Sequence, residues 1–394
     1  MPESLTTIGD EAFLGCESLT EIHLPESLTT ILGSAFEGCN LKSIHLPESL
    51  TTIGDGAFFG CESLIEIHLP ESLTTIEDSA FGGCQSLKSI HLPDSLIKIG
   101  NRAFCECCSL RSIHLPDSLT TIGDGAFFGC ESLIEIYLPE SLTTIGDGAF
   151  FGCESLTEIH LPDSLITIRD SAFEDCKSLT EITLPSSLQK IQGNPFVGLR
   201  LHIINQSPHF FVEDNVLYTA DKKKLIACLS SKNNFTVPQG VTTIGDSAFE
   251  DCKSLTEIHL PESLTTTGDR AFSGCSSLES IHLPDSLTTI GYGAFLWCSS
   301  LFSIHLPESL TTIGEKVFSG CSSLESIHLP ESLTTIGEEA FYDCKSLKSI
   351  YLPDSLTTIG TLSFYNCKLL TREIKEKLRK IKTFLLFIDE DLCF

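Results

Sequence analysis

Ten histidines occupy one slot of a repeating unit: His23, His45, His68, His91, His114, His160, His259, His282, His305 and His328. Tyr137, Thr183 and Tyr351 replace them in three coils, and two residues before this slot runs a column of Glu or Ser, among them Glu66, Ser89, Ser112, Glu135 and Glu158. Imidazole beside carboxylate can hold a divalent metal, which also demands fixed geometry and a second shell of orienting groups. It can also gain charge as pH falls past about 6.5 and change what a surface attracts. A second candidate is Cys105-Glu106-Cys107-Cys108, which contains a CxxC, but no other cysteine pair stands at zinc-finger spacing. Gly54-Asp55-Gly56 lacks the GxGxxG order of a phosphate loop. No nucleophile, base and orienting carboxylate rise together above the repeat background. The chain is therefore not expected to be an enzyme, and no cofactor or metal is expected.

What positions these residues is the repeat itself. Prolines at 2, 25, 47, 70, 93, 116, 139, 162 and 185, then 238, 261, 284, 307, 330 and 353, recur every 23 residues, with one step of 22 after Pro25. That makes fifteen units. A fixed period of this length predicts a solenoid, in which each coil buries its apolar side only by stacking on its neighbours. Fourteen of the eighteen cysteines share one slot, from Cys16, Cys39 and Cys61 through Cys344 and Cys367. Parallel side chains aimed into one core do not point at each other, so the column reads as small buried thiols, reduced and unreactive. Cys105, Cys108 and Cys393 are expected to react first.

The coil from Pro47 to Leu69 shows how each unit is built. Pro47 stops the preceding strand and Glu48-Ser49 makes the turn. Leu50-Thr51-Thr52-Ile53 starts a short β-branched strand. Asp55 is placed to cap a one-turn helix over Gly56-Ala57-Phe58-Phe59, with Phe58 inward. The Gly60 slot holds Gly, Asp or Asn in thirteen units, residues that tolerate a left-handed backbone; Glu106 and Trp297 depart. Leu64-Ile65-Glu66-Ile67-His68-Leu69 then forms the main strand, with Leu64, Ile67 and Leu69 inward and Glu66 and His68 outward.

Through its Leu, Ile, Pro, Ala-Phe and Cys positions, the motif LxxIxLPxSLTTIGxxAFxxC resembles the BspA-like leucine-rich repeats, the 23-residue class also called the Treponema pallidum type. The resemblance covers nearly the whole chain. It implies a leucine-rich-repeat β-solenoid used for surface adhesion or protein recognition, with no catalytic residues to carry over. The expected fold class is thus a repeat solenoid with short strands on two sides and a one-turn helix per coil, interrupted by a β-hairpin insertion.

The interruption begins after Phe196, where Leu199 takes the cysteine slot, and ends at Val237. Its apolar runs, separated at Glu213-Asp214-Asn215 and Asp221-Lys222, read as a hairpin. The tail places Ile374, Leu378 and Ile381 at helical spacing behind Thr371, a plausible N-cap. The expected organisation is a nine-unit array over 1–199, an insertion over 200–236, a six-unit array over 237–368 and a helical cap with a tail over 369–394. Phe384 to Ile388 is too short to span a membrane and is expected to cover the last coil or form a strand.

The chain carries 25 basic and 53 acidic residues, a formal charge of −28. This disfavours nucleic acid and anionic membranes and favours a protein partner with a basic surface. No signal-peptide pattern follows Met1, so a cytoplasmic protein is expected from the sequence as it stands, or a cell-surface or secreted one if the start is truncated. The expected function is a non-catalytic recognition or adhesion scaffold presenting an acidic, histidine-rich strand face through Glu66, His68, His91, His114, Glu135, Tyr137 and His305. Tyr292, Trp297 and Phe302, three unusual aromatics in the coil from Pro284, form the candidate hot spot. The alternatives are a metal- or pH-responsive module working through the His/Glu columns and, more remotely, ice binding through the outward Thr-Thr rows.

Overall fold

Each proline starts a tight turn, and in the coil from Pro47 the Leu50 N–H donates to the Pro47 carbonyl at 3.0 Å. The structure, a computed structural model, describes residues 1–381; Phe384 to Ile388 and Cys393 lie outside the described residues. The chain forms two units, Met1–His209 and a second that begins at Phe210. Both are parallel β-solenoids.

In the first unit the short Thr-Ile strands, from Thr7–Ile8 to Lys190–Ile191, pair in register into one ladder of nine. On the other side, the strands equivalent to Glu66–His68 pair Ile on Ile and His on His. That second ladder is interrupted after Ser89–His91 and again after Glu158–His160. In the second unit the Thr-Ile ladder breaks after Thr289–Ile290 and the Ile-His ladder breaks after Ser303–His305, so both open at one step between coils.

The segment expected as a one-turn helix is instead a run of tight turns with alternating donors. Ala57, Phe59 and Cys61 N–H groups fold back three residues, to Gly54, Gly56 and Phe58. Gly56, Phe58 and Gly60 N–H groups donate to the next coil, at Asp78, Ala80 and Gly82, over 2.9, 2.9 and 2.7 Å. A helix would turn every donor inward along its own axis; here half of them tie one coil to the next. The left-handed slot at Gly60 is as expected, with Glu106 and Trp297 held at φ 57° and 58°.

Between the strands and the turns lies a column of stacked phenylalanines. Phe13, Phe36, Phe58, Phe81 and their successors to Phe196 stand 5.1–5.9 Å apart in the first unit. Phe249 to Phe364 repeat this in the second.

Four polar slots are engaged between coils, which explains the consensus residue by residue. The hydroxyl after the proline turn donates to the preceding coil, as Ser72 does to Leu50 at 2.5 Å and Ser141 to Leu119 at 2.6 Å. The first Thr of most pairs does the same, as Thr143 to Thr120 at 3.3 Å. The cysteine thiols donate to phenylalanine carbonyls of the preceding coil, Cys61 to Phe36 at 3.1 Å and Cys130 to Phe104 at 3.2 Å. The aspartate slot departs from expectation. Asp55 Oδ1 accepts the N–H of Asp78 at 3.2 Å, and Asp124 Oδ1 that of Asp147 at 2.9 Å, so the carboxylate caps the neighbouring coil's turn and not its own.

Residues 202–205 add a strand beside Glu181–Leu184 at the end of the first unit. The second unit opens with the hairpin Phe210–Glu213 and Val216–Thr219, turning at Asp214 and Asn215, both at positive φ as a two-residue hairpin turn requires. A third strand, Lys224–Cys228, pairs antiparallel with Val216–Thr219 and parallel with Thr243–Ile244, and so carries the insertion into the array. Helix Arg372–Ile381 buries Leu378 against the last coil; the Ile374 N–H donates to Thr371 Oγ1 at 3.4 Å, the expected cap.

One core position breaks the pattern. Thr267 stands where the adjacent coils have Ile244 and Ile290, is 1% exposed, and its Oγ1 has no hydrogen-bond partner. Thr267→Ile removes a buried unsatisfied hydroxyl and restores the apolar slot. It should raise stability by about 1–2 kcal/mol in urea unfolding followed at Trp297; an unchanged or lower stability would show that the hydroxyl is satisfied in solution.

Candidate functional site

With Ser, Thr, Asp and Cys engaged in stacking, the outward slots of the Ile-His strands are what the fold leaves to solvent. Strand alternation turns Glu66 and His68 out while Ile67 packs inward. Parallel register brings His68 between His45 and His91, and Tyr137 between His114 and His160. In the second unit the His282 and His305 rings stack at 4.7 Å and those of His328 and Tyr351 at 4.5 Å.

Carboxylates border this ring column. His160 Nε2 is 3.4 Å from Glu158 and His259 Nε2 is 3.4 Å from Glu257. The Tyr137 hydroxyl donates to Glu135 at 3.4 Å. From the other side, Tyr351 donates to Glu331, in the proline turn that opens its coil, at 2.6 Å. Carboxylates thus reach the ring column from both sides at these places, and all of it is exposed, Tyr137 by 62%. These contacts are pairwise. Among the described residues no three His, Cys, Asp or Glu converge as a metal site would require.

The expected strand-face residues Glu66, His68, His91, His114, Glu135 and Tyr137 share one face of the first unit. In the second, Phe302 stands just before the strand Ser303–His305 and lines a groove of ≈ 850 Å³ with Glu279, Ser300, Ser303, Ser323 and Glu325. Tyr292 and Trp297 do not line it. They belong to the turn segment, where Lys316 Nζ lies 5.8 Å from the Tyr292 ring centroid. The Tyr292 N–H donates to Asp269 Oδ1 at 2.7 Å, but Tyr292 has no carboxylate to offer Glu315 in the coil that follows.

Trp297 lies over Gly320 of the next coil, where a Cβ would run into its six-membered ring. Gly320→Ala should therefore cost about 1–3 kcal/mol, from overpacking together with the left-handed backbone at φ +75°. In a Trp297→Gly background only the backbone part of about 1 kcal/mol should remain. Equal costs in both backgrounds, read by circular dichroism in urea, would mean that the ring does not rest on Gly320.

Two thiols are placed differently from expectation. Cys105 is buried, its sulfur packed where a side chain at Gly82 would stand, while Cys16, expected in the inward column, is exposed in a first coil covered on one side only. Cys108 is half-buried, and its thiol donates to the Glu106 carbonyl at 3.4 Å. Cys107 is a ladder donor to Phe81 at 3.2 Å, which absorbs the CxxC into packing.

Sequence reasoning passed over a further strand-face column, one residue before the Glu/Ser column. It reads Lys42, Ile65, Lys88, Arg111, Ile134 in the first unit and Glu279, Phe302, Glu325, Lys348 in the second. Its signal is the same 23-residue spacing.

The profile of the BspA type leucine-rich repeat region matches residues 1–109, 97–220, 223–334 and 311–388. The chain belongs to the BspA-type leucine-rich repeat family. Among solved structures it is similar to a leucine-rich cell surface protein from Faecalibacterium prausnitzii, at 31% identity over 91% of this chain and 87% of that one, with a TM-score of 0.61. A leucine-rich repeat protein from Eubacterium ventriosum shares the fold, at 22% identity over 76% and 82% of the two chains, with a TM-score of 0.56. No curated protein matches the chain. Leucine-rich repeat proteins of this family are typically non-enzymatic scaffolds for protein–protein contact or adhesion. Among the described residues no helix is long and apolar enough to cross a membrane.

Proposed function

We propose that this BspA-type solenoid is a recognition or adhesion scaffold that presents its acidic, histidine-rich strand face to a protein partner with a basic surface. One observation carries the reading. The Ser, Thr, Asp and Cys slots are tied into inter-coil hydrogen bonds, whereas the His/Tyr ring column and the acids beside it are exposed and make only pairwise contacts. The Thr-Thr rows offer less, because in most pairs the first hydroxyl is engaged with the preceding coil, as at Thr51, Thr265 and Thr334. A repeated exposed face gathers weak contacts additively along the array.

Partner binding should fall tenfold or more in a Glu66→Ser, His68→Ser, Glu135→Ser variant, while Thr52→Ser on the opposite ladder binds as the parent does. Phe302→Ser should weaken binding more than Trp297→Gly, since Phe302 shares the strand face and Trp297 does not. A partner that is indifferent to the strand-face substitutions and loses affinity for the Thr-face variant would overturn the proposal.

A further inference from the structure

The column at Lys42, Ile65 and Lys88 lies on an exposed face of a unit whose surface is otherwise dominated by acids. Successive coils in it are joined through the backbone, Ile65 N–H to Lys42 O at 3.1 Å and Lys88 N–H to Ile65 O at 3.0 Å, so the three side chains stand in adjacent rows. Ile65 is 42% exposed. In the second unit the same slot reads Glu279, Phe302 and Glu325, with Phe302 N–H bonded to Glu279 O at 3.0 Å and the ring 50% exposed. One column is cation, aliphatic, cation; the other is anion, aromatic, anion, at the same repeat spacing. Among the described residues Lys42, Lys88 and Glu279 have no ion-pair partner, while Glu325 holds Lys348 at 2.9 Å.

We infer that the chain associates with a second copy of itself, the Lys-Ile-Lys column of one copy docking on the Glu-Phe-Glu column of the other. The register follows from the flanking residues. Run antiparallel, the columns set Lys88 against Glu279, Ile65 against Phe302 and Lys42 against Glu325, and Arg111 then faces Thr256. Run parallel, they set Arg111 against Lys348, a like-charge clash that disfavours this register. The interrupted ladder after Ser303–His305 opens the groove beside Phe302, which gives the Ile65 side chain a place to lie. Three coils a side make a small interface and each copy is strongly acidic, so association should be weak, on the order of micromolar or weaker. This inference is independent of the partner proposed above.

The test is sedimentation equilibrium of the full chain over a concentration series, with charge reversals at exposed positions that leave the core untouched. The parent should associate with rising concentration; Lys88→Glu and Glu279→Lys alone should each weaken this at least tenfold. An equimolar mixture of the two variants should recover it, because the reversed lysine of one meets the reversed glutamate of the other. Ile65→Ser should weaken association without any such recovery. A parent that stays monomeric at all concentrations, reversals without effect, or recovery of Lys88→Glu by Glu325→Lys and not by Glu279→Lys would each overturn the inference.

Discussion

Phe127→Ala should cost about 3–5 kcal/mol, while the same change at the next residue, Phe128→Ala, should cost about 1 kcal/mol or less. The contrast rests on where each ring sits. Phe127 is fully buried, stacked on Phe104 at 5.5 Å and on Phe150 at 5.4 Å. Its backbone is tied both ways: its N–H donates to Ala149 O at 2.8 Å and its carbonyl accepts the Cys153 thiol at 3.3 Å. Phe128 is 38% exposed and stacks only on Phe151, at 4.8 Å. Deleting the inner ring leaves a cavity between two rings that cannot close on it, because the hydrogen bonds on either side fix the coil spacing. In a quasi-one-dimensional array such a defect also weakens the coupling of the coils before it to those after it. Urea unfolding should therefore broaden or split for Phe127→Ala and stay a single transition for Phe128→Ala. Equal losses for the two variants would place the stabilising contacts elsewhere.

The features legible in the sequence are those that stacking forces to recur. The 23-residue period gives the coil, its apolar slots give the Phe, Leu and Ile columns, and the tolerance of one slot for Gly, Asp and Asn gives the left-handed turn at Gly60. What could not be read concerns bonds between coils. Asp55 carries the local signature of a helix cap, but a carboxylate there reaches an N–H of its own turn or one 23 residues away, and a linear pattern does not distinguish them. The alternating turns follow from the same cause, since a second left-handed slot, at Gly56, holds Arg102, Lys316 and Leu362 in other coils and has no compositional signature. Cys105 stands outside the ladder slot and so reads as reactive; its burial depends on Gly82 one coil away. The strand-face residues are the least legible of all. Nothing in the stacking dictates them, which is also why they are free to carry recognition.

Alkaline pH should unfold this protein through its cysteines. Burial pushes the Cys61, Cys176 and Cys298 thiols up to about 12, and those of Cys107, Cys130, Cys153 and Cys275 well above the ordinary value. Geometry agrees, since a thiol that donates to a carbonyl must keep its proton, as Cys298 does to Phe272 at 3.1 Å. In the unfolded chain the same thiols ionise near their ordinary pKa of about 8.5. Below that pH both states hold the proton and the ladder's contribution is complete. Above it the unfolded state binds fewer protons than the folded one, so stability falls as pH rises toward the folded value, by about 1.4 kcal/mol per pH unit for each buried thiol. With ten such groups, Cys84, Cys321 and Cys344 included, the native state should be lost well before pH 12, cooperatively and within a narrow range. Cys298→Ala should flatten the difference in slope by one such increment, which separates the thiols from lysines and tyrosines titrating in the same window. At neutral pH the same protection should appear as reactivity: maleimide should label Cys16 and then Cys108 in native buffer, and the ladder thiols only in denaturant. Rapid labelling of Cys130 or Cys298 in the native protein, or a stability independent of pH between 8 and 11, would mean that the thiols are neither buried nor bonded as described.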